Sequence, residues 1–337
     1  MKAYIKAISY HLPEATYTNE DFFSSFPEAV ANKENLSLIG VQSRHIVNPQ
    51  LTASDIAVES ALTFFKEHNI SPADIDFLLF CAQEFDYYGP TSACVMHEKL
   101  GLPKSCGALD YNLGCSGFVY GLSLAKGLIE SVGMRNVLLI TSSTLTKKFH
   151  KKDKSSRFVF GDGAACTLIS ARESNEGIGQ FVFGTDGKGA NKIIVKDGGA
   201  RHPLSETSFI DSTDEYGNTT NPASYYMDGP GVFIFGLKTV PPMVTALLEK
   251  ENKTMEDIDL FVFHQANLFL VDKLAKKLSI PEAKLFNYMK DVGNTVSSSI
   301  PIALSEAIKS GRARAGQTVL VAGFGVGLSW AATIVTL

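Results

Sequence analysis

The chain has 337 residues, 45% of them apolar and 20% charged, with 28 glycines and 13 prolines spread along it; this is enough apolar material for a large core in one or two domains. Its formal charge of −4 excludes the broad basic face that bulk nucleic-acid binding requires. The five cysteines, Cys81, Cys94, Cys106, Cys115 and Cys166, show neither CxxC pairing nor metal-ligand spacing, and predict a reduced, cytoplasmic protein.

The opening MKAYIKAISYHLPE is interrupted by Lys6, His11 and Pro13 and reads as a first strand, not a signal sequence. No apolar run approaches the ~20 residues of a membrane helix, so no membrane partner is expected. Residues 71–83, SPADIDFLLFCAQ, give an acidic turn and then a short apolar run suited to a buried strand. Beyond LGLP (100–103), the segment LGCSGFVYGLSLAKGLIESV (113–132) spaces Phe118, Leu122, Ala125 and Ile129 helically. A helix is predicted to begin near Cys115 and bury that stripe. NVLLITSS (136–143) is a further buried strand. The basic run from Lys147 to Arg157 is a docking face or an exposed loop. Phe-Gly-Asp-Gly-Ala (160–164) reads as a tight turn, since its glycine spacing fits neither the Walker nor the dinucleotide pattern. Residues 185–225, rich in Gly, Asn, Asp, Ser and Thr, predict a long loop region, a binding lid or a surface excursion.

The second half repeats the first. TMEDIDLFVFHQA (254–266) mirrors 71–83 and sets His264 against Cys81, and LSIP (278–281) mirrors LGLP. VGNTVSSSIPIALSEAIKSG (292–311) mirrors 113–132 and sets Asn294 against Cys115, and TVLVAGFG (318–325) mirrors NVLLITSS. Four matches in one order predict a duplicated βαβ unit in a layered α/β architecture. The division falls between an N-terminal half, 1–172, and a C-terminal half, 173–337. Leu304 and Ile308 mark the second half's helix, with Pro301 expected to kink or delay its first turns.

Cys115 stands between an apolar strand and a helix, and Gly114 and Gly117 permit a tight turn around it. Unpaired N–H groups at a helix start favour thiolate, so a thiol pKa lowered from about 8.5 to about 7 is expected. The other four cysteines read as core. His264 ends a strand at its carboxyl end, where open α/β folds place their sites. Asn294 is a natural helix N-cap, but its place opposite Cys115 draws it into the site. The backbone N–H groups of Gly-Phe-Gly-Val-Gly (323–327) are candidates for an oxyanion hole.

GVQSRHI (40–46), GCSGF around Cys115, FGDGA, HQAN, VGNT and GFGVGLSW (323–330) occur in one order. Together they make the chain resemble the ketoacyl-acyl-carrier-protein synthase III family over nearly its whole length. The resemblance implies the thiolase fold, five αβαβα layers built from two pseudo-symmetric halves, in a protein that is usually a homodimer. It implies a catalytic triad of Cys115, His264 and Asn294 and an oxyanion hole from the amides of Cys115 and Val326. The implied reaction is decarboxylative Claisen condensation of an acyl group on Cys115 with malonyl-acyl carrier protein, in fatty acid or related polyketide synthesis, without metal or redox cofactor. Lys273, Lys276 and Lys277 match the family's patch for the acidic carrier protein. Gly89 stands where the family often has a Phe closing the acyl tunnel, which implies room for a longer or bulkier chain. Glu34, Leu38 and Phe269 stand where relatives stack and contact coenzyme A, which argues against an acyl-coenzyme A donor. Rival readings keep the fold but condense without decarboxylation, through a Glu where this chain has Gln83 beside Glu84, or transfer the acyl group to oxygen or nitrogen. A papain-like hydrolase has the same Cys, His, Asn order but not the duplicated halves, and an idle binding homologue would not need the triad intact.

Overall fold

A computed structural model describes residues 1–174 and 176–337. The first half forms a five-stranded sheet in the order Lys2–His11, Gly163–Arg172, Asn136–Ser143, Phe77–Cys81, Gly107–Tyr111. The second forms a four-stranded sheet in the order Ile178–Thr185, Ser329–Thr336, Thr318–Gly325, Leu260–Phe263. Strand by strand the two orders correspond. Phe77–Cys81 runs parallel to Asn136–Ser143, and Leu260–Phe263 runs parallel to Thr318–Gly325. Gly107–Tyr111 also joins Phe77–Cys81 parallel, and the other pairings in each sheet are antiparallel. The fifth strand of the first sheet has a remnant in the second, a single parallel bridge between Phe261 and Leu285. The repeat seen in the sequence is thus a repeat of topology.

Two helices lie between the sheets, Gly117–Gly127 from the first half and Ser299–Lys309 from the second. Phe118, Val119, Leu122 and Ala125 share one buried cluster with Ile300, Ala303, Leu304 and Ala307, and both sheets contribute to it, Leu79 and Leu139 from one and Val262 and Val321 from the other. Burial on both faces explains why these strands read as continuous apolar runs. Ala53–His68 and Ser92–Lys99 cover the outer face of the first sheet, and Gly229–Glu251 and Leu268–Lys277 cover that of the second. This is the five-layered α/β thiolase fold.

Several local expectations are corrected. Pro301 neither kinks nor delays its helix, which starts at Ser299; Pro301 falls in the first turn, where its missing N–H has no intrahelical partner to lose. Ile308 is largely exposed while Leu304 is buried. Gly229–Glu251 is a helix of 23 residues, long and apolar enough by length and composition to cross a membrane. Lys238, Pro241 and Pro242 mask it in the sequence, and Val240, Met243, Val244 and Leu247 pack it on the second sheet. Cys94 is exposed instead of core, whereas Cys81, Cys106 and Cys166 are buried. The 185–225 region holds short paired strands, Ile193–Ile194 with Tyr226–Met227 and Ser212–Thr213 with Thr219–Thr220.

Candidate active site

The turn carrying Cys115 is closed by the Gly117 N–H donating to the Gly114 carbonyl at 2.8 Å. A side chain at Gly114 would lie 2.6 Å from Val326 Cγ1 and 2.8 Å from Gln83 Oε1, and one at Gly117 would collide with Cys81 Sγ. The two glycines therefore let the helix and the second half's hairpin close on Cys115. Ser329 Oγ donates to the Val326 carbonyl at 2.7 Å and lies 2.7 Å from Ser116 Oγ. With its own proton committed, Ser329 accepts from Ser116, and the Cys115 turn is tied to the hairpin behind Val326.

His264 follows the strand Leu260–Phe263, its N–H donating to the Ala322 carbonyl at 2.8 Å. Its Nδ1 lies 2.7 Å from Ser299 Oγ, and Phe324 meets its ring edge-on at 5.7 Å. Asn294 is held by the 160–164 turn: its N–H donates to the Val159 carbonyl at 2.9 Å, and the Gly161 N–H donates back to its own carbonyl at 3.1 Å. Gly293 has φ +68°, and a side chain at Gly161 would collide with the Val292 carbonyl. Arg44 of the GVQSRHI segment, fully buried, donates to the carbonyls of Tyr17 and Phe158 beside these glycines. Asp162 accepts from the amides of Val47 (2.9 Å) and Thr146 (3.2 Å). FGDGA and GVQSRHI are thus the scaffold of Asn294, a role invisible without the fold. The Asn294 Oδ1 accepts the Val296 N–H at 2.9 Å and Nδ2 donates to the Ala266 carbonyl at 3.3 Å, which fixes which end of the carboxamide is the donor.

Cys115, His264 and Asn294 line one cavity of about 100 Å³, together with Phe160, Tyr225 and Gly325. A second chamber, about 530 Å³, lies on the other side of Tyr225 and Val326, between Leu113, Leu145, Ile193 and Gln83. Ile193 and Tyr225, in the long irregular region, border both cavities, while Leu204, Ile210 and Tyr216 from the same region are exposed. A larger groove between His11, Val47, Asp55 and Lys99 contains none of the three residues and no group placed for their chemistry.

The electrostatics reverse one expectation. Burial pushes the Cys115 thiol up to about 12, although the amides of Val326 and of Cys115 itself pull it the other way. The second half's cover removes water, and desolvation of a thiolate outweighs the helix start. Burial also lowers His264 to about 3, so its imidazole is neutral. Glu84 is pushed up to about 7, first by burial and then by nearby Asp162, against the pull of the Glu84, Thr144 and Gln83 backbone.

Residues 109–187 match the family 3-Oxoacyl-[acyl-carrier-protein (ACP)] synthase III, and residues 248–337 match 3-Oxoacyl-[acyl-carrier-protein (ACP)] synthase III C terminal. The chain is 35% identical over 298 residues to the Beta-ketoacyl-[acyl-carrier-protein] synthase III of Clostridium perfringens, covering 88% of each chain. The chain belongs to the 3-oxoacyl-[acyl-carrier-protein] synthase III family. A crystal structure of a 3-oxoacyl-(acyl-carrier-protein) synthase III superposes with a TM-score of 0.98 at 44% identity, covering 100% of both chains. The 3-oxoacyl-(acyl-carrier protein) synthase from Burkholderia xenovorans does so at 0.92 and 32%, covering 100% of this chain and 94% of that one. Within this synthase III fold the remaining expected residues lie outside the cavity. Lys273, Lys276 and Lys277 are exposed on the helix Leu268–Lys277; Lys273 sits over the Phe269 ring and Lys277 donates to the Leu237 carbonyl. Phe269 stacks on Phe233, a cavity-lining residue. Gly89 borders no cavity wall of Cys115, and a side chain there would meet nothing within 4 Å. The basic run is partly consumed by structure: Lys154 pairs with Glu28, Arg157 lies over Tyr17, and Lys147 donates to the Leu51 carbonyl.

Proposed function

We propose that this acyltransferase forms a carbon–carbon bond by decarboxylative Claisen condensation, with Cys115, His264 and Asn294 as its catalytic residues. An acyl thioester transfers its acyl group to Cys115 Sγ, and the thiol proton leaves with the departing carrier thiol. Malonyl-acyl carrier protein then loses carbon dioxide, and the electron pair of the broken bond passes into an enolate whose oxygen is held by the imidazole of His264 and the carboxamide of Asn294. The enolate carbon attacks the acyl-cysteine carbonyl, whose oxygen gathers charge at the amides of Cys115 and Val326. Collapse releases 3-oxoacyl-acyl carrier protein and, on uptake of one proton, the free thiol. The observation carrying this reading is that a sulfur from one half and two oriented donors from the other line a single cavity.

The carrier protein docks on the helix Leu268–Lys277 through Lys273, Lys276 and Lys277. Supporting this, the same helix brings Asn267 and Leu270 to the cavity wall, so the basic face adjoins the mouth. Two copies associate through the strand Gly107–Tyr111, one of the two edges of its sheet, with its exposed Leu109 and a nearby 92% exposed Tyr88; Gly89 then borders the acyl tunnel at that interface. Residues 1–172 and 173–337 are the two halves. A cytoplasmic location fits five cysteines that are all free among the described residues.

The test is incubation with acyl-carrier and acyl-coenzyme A thioesters, followed by intact mass and peptide mapping, then addition of malonyl-acyl carrier protein. Acylation at Cys115 and release of carbon dioxide with a 3-oxoacyl product are expected. Labelling confined to another residue overturns the assignment.

A further inference from the structure

A neutral imidazole offers one N–H and one bare nitrogen, and which is which decides whether it gives or takes a hydrogen bond. His264 is neutral for a physical reason, the burial that lowers it to about 3. Its Nδ1 faces Ser299 Oγ at 2.7 Å, and Nε2 makes no hydrogen bond among the described residues. Ser299 is the first residue of the helix Ser299–Lys309, is 2% exposed, and receives a second contact from the Gln265 N–H at 3.3 Å. An amide N–H only donates, so the Ser299 oxygen accepts there and its hydroxyl proton must go elsewhere. Among the described residues its one acceptor is Nδ1. A hydroxyl donating to Nδ1 leaves the ring proton on Nε2.

We infer that Ser299 is a positioning residue that locks His264 in the Nε2–H tautomer, so that the imidazole meets the reacting thioester oxygen as a hydrogen-bond donor. The opposite tautomer would present a bare nitrogen to the enolate oxygen and repel it. The Val296 amide does the same for Asn294, occupying Oδ1 and leaving Nδ2 as donor. Two donors are thereby set in place by groups that never touch substrate. The Asn294 carbonyl side, the Ser299 hydroxyl and the Gln265 amide all come from the segments 264–266 and 294–299, so two short segments of the second half both supply and orient the donor pair.

The inference rests on the condensation reading for its catalytic consequence but not for its tautomer. The full-length protein labelled with imidazole-¹⁵N histidine would be read by long-range ¹H–¹⁵N correlation, with His264 assigned by comparison with His264→Gln. The wild type is expected to show Nε2–H at neutral pH. Ser299→Ala should shift His264 toward Nδ1–H and slow malonyl-carrier decarboxylation about 10- to 100-fold, the range for losing a partner that orients a histidine. Acylation of Cys115 should stay within about threefold, and Ser299→Thr, which keeps the hydroxyl, should restore both tautomer and decarboxylation. A wild-type Nδ1–H signal overturns the inference whether or not Ser299→Ala folds. Equal losses of acylation and decarboxylation with the tautomer unchanged overturn it as well. Because the spectrum needs no turnover, failure of the condensation reading is read separately, as absence of carbon dioxide release by the wild type.

Discussion

Replacing Gly325 by alanine places one atom against the Cys115 side chain. A Cβ built at Gly325 lies 2.8 Å from both Cβ and Sγ of Cys115, about 1 Å inside the ~3.5–4.0 Å at which such atoms rest. The strand has little room to retreat, because Gly325 pairs with Ser329 across the hairpin and a side chain at Gly323 would already press on the Cys115 carbonyl at 2.8 Å. Gly325 does not have a left-handed φ, so the penalty is steric alone. Overpacking of this kind costs about 1–3 kcal/mol, a modest fall in thermal midpoint. The kinetic effect is larger, since a reacting atom displaced by about 1 Å loses on the order of 100-fold in rate. Single-turnover acylation of Cys115, followed by intact mass, measures it. Gly127→Ala is the control: it sits in the helix Gly117–Gly127 with nothing within 4 Å of its added Cβ, and should gain up to about 1 kcal/mol with acylation unchanged. Wild-type acylation by Gly325→Ala would refute the contact between strand and sulfur on which the site rests.

Asn294→Ala should slow decarboxylation by about 100- to 1000-fold, the cost of one lost oxyanion donor, and acylation much less; partial-reaction assays with malonyl- and acyl-carrier substrates separate the two. Because burial raises the Cys115 thiol to about 12, the thiolate fraction rises about tenfold per pH unit throughout the range below it. Its alkylation by iodoacetamide should therefore climb from pH 6 to pH 9 without levelling, whereas a plateau near pH 7 would restore the lowered thiol expected from the helix start. Lys276→Glu, on an exposed face, should raise KM for malonyl-acyl carrier protein several-fold at low salt and less at high salt. Acylation by a small-molecule thioester should not change.

Much of this protein can be read along the chain because the relevant physics is local. A strand buried on both faces needs an unbroken apolar run, and a central helix needs its stripe at 3.6 spacing, so Phe77–Cys81, Leu260–Phe263 and Gly117–Gly127 announce themselves. Duplication then doubles every such signal, and it locates His264 and Asn294 as the counterparts of Cys81 and Cys115. The membrane-length helix Gly229–Glu251 escaped because two prolines and a lysine break its pattern, while its burial is conferred by the sheet it covers. Cys94 was misplaced for the same kind of reason: exposure belongs to whatever packs nearby, not to the residue type.

The linear order of residues settled the repeat and the layered α/β architecture, since those follow from periodicity, and it singled out Cys115, His264 and Asn294 as candidates. Folding settled their working state. Only when the second half closes over Cys115 does desolvation outweigh the helix start and drive the thiol upward. Only in the folded chain does Ser299 reach His264, and only across that seam does the 160–164 turn reach Asn294. The Cys115 thiol is influenced by the distant Val326 amide and the His264 ring is met by Ser299, 35 residues along the chain, and no local pattern encodes either.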